Sequence, residues 1–283
     1  MHSRLHHGLP SRPGVRIGRV GLVGMTTILA LGGLLAPAAR AESDPRALGV
    51  TDRLEEAMGG RARFDAHRFL QFRFVVERDG KEVAAWLHFW DRATGRYRLE
   101  GRADGHPLRV LFNVNDRRGE VWLDGVRLDA EAAKPHLEAA YGRFINDSYW
   151  LLMPWKWRDP GVTLGYEGER TVDGEAFDVV SLSFENVGLT PKDRYRGFVS
   201  RTDGLLKRWE FVLQTKDGAP GTGEPVAFSW EEWKEVGEGL RLSRDKGKRG
   251  SGPAIAIRFP LLEMATTVDD SVFTPSPPAD APR

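Results

Sequence analysis

Turn signals ending in Gly punctuate much of this 283-residue chain at the short spacing that suits a meandering antiparallel sheet. Asp79-Gly80, Thr94-Gly95, Asp104-Gly105, Arg118-Gly119 and Asp124-Gly125 follow at close spacing, and Asp173-Gly174 and Asp203-Gly204 repeat the pattern later. Asp-Gly is a strong hairpin signal because both residues tolerate positive φ. Between the turns lie runs that alternate with period two. Residues 69–77 put Leu70, Phe72, Phe74 and Val76 on one face. Residues 82–91 return with Val83, Ala85, Leu87 and Phe89 on one side and Ala84, Trp86, His88 and Trp90 on the other. Both faces of that return strand are largely apolar, so the second is expected to be covered by a helix or by something bound. Further strands are expected at 96–101, 107–113, 120–123, 126–128, 161–169, 178–184, 195–200, 205–215 and 226–236. A closing hairpin over 240–259 is interrupted by the run RDKGKRGSG.

Two segments have helical spacing. Leu48, Val50, Leu54 and Met58 mark a short amphipathic helix over 47–58, ended by Gly59-Gly60. Asp129 is an N-cap for a second helix, with Pro135 early in it, where a missing N–H is tolerated or produces a kink. That helix carries Leu137, Tyr141 and Phe144 toward FINDSYWLLMPWKW (144–157), the most apolar stretch outside the first forty residues, and stops by Met153 because Pro154 disfavours helix before it.

The first 41 residues hold five Arg and no acidic residue, then an uncharged apolar centre, then Ala39-Arg40-Ala41. This is the pattern of a secretory signal peptide cleaved after Ala41; the alternative is an uncleaved anchor. The remaining 242 residues keep 36 of the 41 basic and all 40 acidic side chains, a balance of −4. With no global basic field, nucleic acid is not the expected partner. The chain has no Cys, so no thiolate metal site and no lipidated Cys after the leader is available. A secreted domain of this size buries an adequate core without disulfides.

Four segments carry a family resemblance: INDSYWLLMPWKWRDPGV (145–162), FENVGLTPKDRY (184–195), FVSRTDGLLKRWEF (198–211) and VDDSVFTP (268–275). Together they resemble the LolA-like superfamily of periplasmic lipoprotein-sorting and lipid-handling proteins, in a branch of outer-membrane lipoprotein-sorting-like chains. The resemblance spans nearly all of the mature chain. It implies a mainly β (α+β) fold, an incomplete antiparallel β-barrel of about ten or eleven strands whose concave side is covered by helices around an apolar cavity. The domain would run from 42 to 275, with a disordered tail at 276–283. Composition rich in Arg, Ala and Gly fits a Gram-negative source, and with the leader it places the product in the periplasm, as a monomer.

The candidate cavity-lining residues are Phe72, Phe74, Trp86, Trp90, Phe144, Trp150, Leu151, Met153, Trp155, Trp209, Phe211 and Trp230. Each has a sharp reading, a dry wall for acyl chains, and a plain one, packed core that plugs the barrel. Asn146, Asp147, Ser148 and Tyr195 are the candidate polar mouth or buried network. The five basic residues of 241–249 would contact an anionic membrane surface or stay solvated on a hairpin tip. No catalytic residue and no cofactor is assigned. His67, His88, His106 and His136 show no metal-ligand spacing, and no nucleophile elbow or phosphate-binding Gly loop is present. An acid–base role for Asp147, His88 or Asp193 is the minor alternative. The expected partners are acyl chains of a lipid or lipoprotein, with transient contact to the membrane surface or envelope proteins; a filled, purely structural barrel is the other reading.

Overall fold

The computed structural model describes residues 42–184, 193–215 and 217–275. The expected leader and tail, and most of FENVGLTPKDRY, lie outside the described residues. Asp44 caps α1 (Pro45–Ala57) by accepting from Arg46 N at 2.8 Å. A six-residue helix, α2 (Arg61–Ala66), follows; it is too short for its period to show in the sequence. Next come β1 (Phe69–Arg78), β2 (Lys81–Asp91), β3 (Arg96–Ala103), β4 (His106–Asn113), β5 (Gly119–Leu123) and β6 (Val126–Arg127). The long helix α3 (Ala130–Leu152) runs into a 3₁₀ turn, Met153–Lys156. The second half holds β7 (Val162–Val172), β8 (Glu175–Phe184), β9 (Arg194–Ser200), β10 (Leu206–Val212), β11 (Val226–Ser229), β12 (Glu231–Gly237), β13 (Leu240–Arg249), β14 (Ile255–Arg258) and β15 (Leu262–Ala265).

All fifteen strands belong to one antiparallel sheet in the order β6-β5-β4-β3-β2-β1-β14-β13-β11-β10-β9-β8-β7, with β12 on β13 and β15 on β1. The two ends of this path differ, so the sheet is an open half-barrel. There are more strands than the ten or eleven expected, partly because two continuous lines of pairing are each broken once. β11 and β12 share one register against β13, Phe228 facing Lys248 and Glu231 facing Asp245, interrupted at Trp230. β14 and β15 follow one another along β1 either side of residues 259–261, with the register shifted by one residue between them. Most of the turn signals form turns, but Gly119 opens β5 and the turn before it falls at 114–116. Asp79-Gly80, Asp104-Gly105, Asp124-Gly125 and Asp173-Gly174 each have positive φ at both residues, the type I′ geometry whose twist matches paired strands.

Two expectations need correction. The outer face of β2 is not covered by a helix: Val83 is 52% exposed, and Phe89 is shielded by the Arg98 guanidinium 4.9 Å from its ring centre. The basic run 241–249 is not a loop tip but strand β13, so alternation sends its cations to opposite faces. Arg241 is exposed, whereas Lys246 is wholly buried.

Helix α3 organises the interior. Its Asp129 cap accepts from Ala132 N at 2.9 Å. Pro135 is accommodated near the start, where the carbonyl it leaves without a helical partner belongs to exposed Glu131 and can meet water. The first half of α3, through Ala133, Leu137, Ala140, Tyr141 and Phe144, packs on Trp86, Tyr97, Leu99, Val110, Phe112 and Val121 of β2–β5. The second half, through Trp150, Leu151, Leu152 and Met153, enters a larger core that also takes α1, β1 and β8–β15. Trp157 packs so closely on the sheet that a Cβ at Gly197 would stand 2.4 Å from its ring.

Candidate ligand cleft

The interior contains two spaces of very different size. Where Trp150, Trp209, Phe211 and Trp230 converge with Tyr149, Met153, Tyr195 and Leu213, the remaining void is ≈ 10 Å³, about one water. Trp150 meets Phe228 at 4.9 Å, and Tyr195 stacks on Trp209 at 5.2 Å. Phe72, Phe74 and Leu151 are likewise packed in this core, and Trp86 in the smaller one. Lys246 adds to the filling: its Nζ donates to Ser243 O at 2.5 Å and lies 4.5 Å from the Trp230 ring and 4.2 Å from that of Phe259.

The second space is a cleft of ≈ 410 Å³ beside α3, within the range of roughly 300–1,000 Å³ typical of small-molecule sites. Phe144, Ile145, Ser148, Tyr149 and Leu152 line it from α3, at the 3–4-residue spacing of one helical face. Met153, Trp155 and Trp157 continue this wall; Trp90 joins from β2, Phe64 from α2, and Val162, Leu182 and Phe184 from β7 and β8. Of the candidate lining residues, the cleft brings together Trp90, Phe144, Met153 and Trp155, with Ser148 the one candidate mouth residue. Ile145, Tyr149 and Leu152 were missed although their helical phase shows them. Phe64, Arg61 and Arg92 were missed because nothing local ties α2 and the end of β2 to α3.

The charged groups at the cleft are arranged around two stacked rings. Phe64 and Trp155 lie 4.2 Å apart and nearly parallel. Arg92 sits 3.9 Å from the Phe64 ring, and Arg61 5.2 Å from that of Trp155. Arg61 is held by a fork to Glu55 and by Trp155 O at 2.7 Å. Lys156 pairs with Asp159. Arg92 donates to Phe64 O and His67 O, both at 2.7 Å, and forms no ion pair among the described residues. Burial pushes Arg92 down to about 10, with Asp65 opposing the shift, so it is charged at neutral pH. The indole N–H groups of Trp90 and Trp155 are buried without an acceptor.

Of the remaining polar candidates, Asn146 and Asp147 belong to a separate network. His88 Nδ1 lies 2.7 Å from Tyr97 Oη, His88 Nε2 lies 3.2 Å from Asp147 Oδ2, and Asn146 donates to Asp147 Oδ1 at 2.8 Å. The His88–Asp147 contact is bent off the hydrogen-bond line and couples the two electrostatically. Burial drives the His88 value down against the opposing pull of Asp147, and drives the Tyr97 hydroxyl well up. Both are neutral at pH 7, with Tyr97 O–H donating to Nδ1 and the His proton on Nε2 facing Asp147. Two of the three residues proposed for acid–base work, His88 and Asp147, are thus together, yet sealed: both are fully buried, and Phe72 stacks on the His88 ring at 4.3 Å. The network pins α3 to β2 and β3. Asp193 is occupied elsewhere, accepting from Tyr195 Oη at 2.8 Å and Gln214 N at 2.7 Å. Among the described residues no His, Asp and Glu cluster could hold a metal, and no helix is long and apolar enough to cross a membrane.

No protein-family model and no curated protein matches this chain. Solved structures do. A LolA superfamily protein from Nitrosomonas europaea is 12% identical, with 81% of this chain and 97% of that one covered at a TM-score of 0.47. A DUF1329 family protein from Desulfovibrio piger is 12% identical over 82% and 98% of the two chains, TM-score 0.46. A putative outer membrane lipoprotein-sorting protein domain from Vibrio parahaemolyticus is 8% identical over 81% and 96%, TM-score 0.42.

Proposed function

We propose that this protein is a periplasmic binding module that takes up the acyl chain of an amphiphile, a lipid or a lipoprotein, by burial and without chemistry. The observation that carries this reading is the ≈ 410 Å³ cleft walled by Trp90, Phe144, Leu152, Trp155, Leu182 and Phe184. A dry wall of this kind needs no directional groups to hold hydrocarbon, since each methylene withdrawn from water contributes about 0.8 kcal/mol. Six to eight of them give a gross gain of roughly 5–6 kcal/mol before the costs of association. The deep core, with room for about one water, takes no part; the ligand is confined to the cleft between α2, α3 and β7–β8. Periplasmic delivery rests on the leader pattern of residues 1–41.

The test is native mass spectrometry of protein purified from the periplasm, paired with enhancement of a lipophilic dye. A co-purifying amphiphile and a dye signal abolished by Ser148→Trp support the cleft. A clean apo mass with no dye enhancement would return the protein to the class of filled structural barrels.

A further inference from the structure

We infer that the cleft selects an amphiphile whose head is an anionic oxygen group, a carboxylate or phosphate, received by Arg92. The inference rests on the cleft being a binding site and adds the chemistry of the ligand's polar end. Three observations converge. First, the cations at the cleft are unequal. Arg61 is answered by Glu55 and Lys156 by Asp159, whereas Arg92 makes only two bonds to neutral carbonyls. Asp65, the carboxylate that faces the cleft beside it, forms no ion pair with it. Second, Arg92 is held in place before any ligand arrives. Phe64 O and His67 O both accept from Nη1, and the Arg92 Cζ lies over the Phe64 ring, 3.9 Å from its centre. A fixed planar fork with Nε and Nη2 uncommitted is the donor geometry that carboxylate and phosphate accept in pairs. Third, the neighbouring wall is aromatic: Trp90 and Trp155 line the cleft beside Arg92, their indole N–H groups closed off from solvent and without an acceptor among the described residues. Among the described residues, the half-buried Arg92 guanidinium thus stands beside an apolar wall without an ion-paired carboxylate, which is the place an anionic oxygen group would take.

The neutral alternative is weaker on the same grounds. A sugar or glycerol head would leave the Arg92 charge in the partly desolvated place it already occupies. A cationic or choline head would add like charge beside it, and the Phe64 ring face that would suit such a head is already taken by Arg92.

The experiment uses the mature chain and dye displacement by three probes of equal chain length: dodecyl phosphate, dodecyl maltoside and dodecyltrimethylammonium, each below its micelle concentration, with inorganic phosphate as a fourth. The expected result is dodecyl phosphate displacing the dye at about tenfold lower concentration than the maltoside, the ammonium probe weakest, and inorganic phosphate without effect. Arg92→Gln should bring the phosphate and maltoside values together. Because Arg92 also ties α2 to β2, Arg92→Lys is measured beside it; keeping the charge but losing the fork, it should retain part of the preference. Equal affinity for dodecyl phosphate and dodecyl maltoside in the wild type overturns the headgroup inference and leaves the acyl-chain reading standing. Competition by inorganic phosphate alone makes this a free-anion site and also overturns it. Displacement by none of the three chains removes both readings together.

Discussion

Replacing Lys246 by Met should make this protein more stable at neutral pH. Lys246 lies on β13 with no exposed surface and no carboxylate in ion-pair contact among the described residues. It gains a bond from Nζ to Ser243 O at 2.5 Å and two cation–π contacts, to Trp230 and Phe259. Those gains, about 1.5–3 kcal/mol for the charged bond and about 1–2 kcal/mol for each ring, are set against the several kcal/mol that desolvating an ammonium costs. Burial holds the Lys246 value well below 10.5, with only Asp245 pulling the other way, so desolvation wins and the folded state carries a net penalty. Met keeps the unbranched stem and removes the charge. Replacing a poorly compensated buried charge by an apolar side chain of similar volume stabilises by about 1–4 kcal/mol, which at this chain length raises the melting temperature by about 2–4 °C per kcal/mol. The pH dependence fixes the cause. Since the folded value is depressed, the penalty is full below it and disappears as pH rises toward 10.5, the gap closing by up to about 1.4 kcal/mol per pH unit. Urea unfolding of both proteins at pH 7.5 and 9.0 reads this directly. A Lys246→Met protein that is less stable at pH 7.5, or a gap that does not narrow at pH 9.0, refutes the reasoning.

Other outcomes follow from the same geometry. Ser148→Trp fills the cleft from α3; displacing about four methylenes of bound chain costs roughly 3 kcal/mol, or about 200-fold in affinity by dye titration, with the melting temperature little changed. Gly197→Ala places a Cβ 2.4 Å from the Trp157 ring and should cost about 1–3 kcal/mol of overpacking strain, read as a lower urea midpoint. His88 is buried neutral with its value lowered from 6.5, so the unfolded chain binds a proton first; stability is full above about 6.5 and falls as pH drops through the folded value. A urea midpoint that stays flat between pH 7.5 and 5.5 in the Lys246→Met background would contradict this. N-terminal sequencing of exported protein should begin at Glu42.

The hairpins were legible because Asp-Gly dipeptides state their own backbone geometry; four of them adopt the paired positive φ they advertise. The turn at Glu238-Gly239 has the same geometry, but Glu carries no such signal. The Asp129 cap and the Pro154 stop bounded α3 closely, since both act through neighbours within a few residues. What a strand faces was harder to read. Trp86 and Trp90 sit four residues apart on one face of β2, yet Trp86 packs under the first half of α3 and Trp90 reaches the cleft. Alternation gives the face of a sheet, and only the path of the covering helix decides which compartment a residue enters. Arg92 was invisible for the same reason: its partners, Phe64 and His67, come from a helix too short to announce itself.

The strand at the middle of the sheet is among the first made, and the strands that complete it are the last. β1 pairs with β2 on one side and with β14 and β15 on the other, so that Val75 stands opposite Arg258 and Phe69 opposite Ala265. During synthesis the β1–β6 meander can assemble by local pairing, while the other edge of β1 stays bare until the C-terminal strands emerge. Contacts this distant in sequence make closure slow. A newly made chain therefore remains without its central seam throughout elongation, a state in which an export channel that accepts only unfolded polypeptide can still thread it.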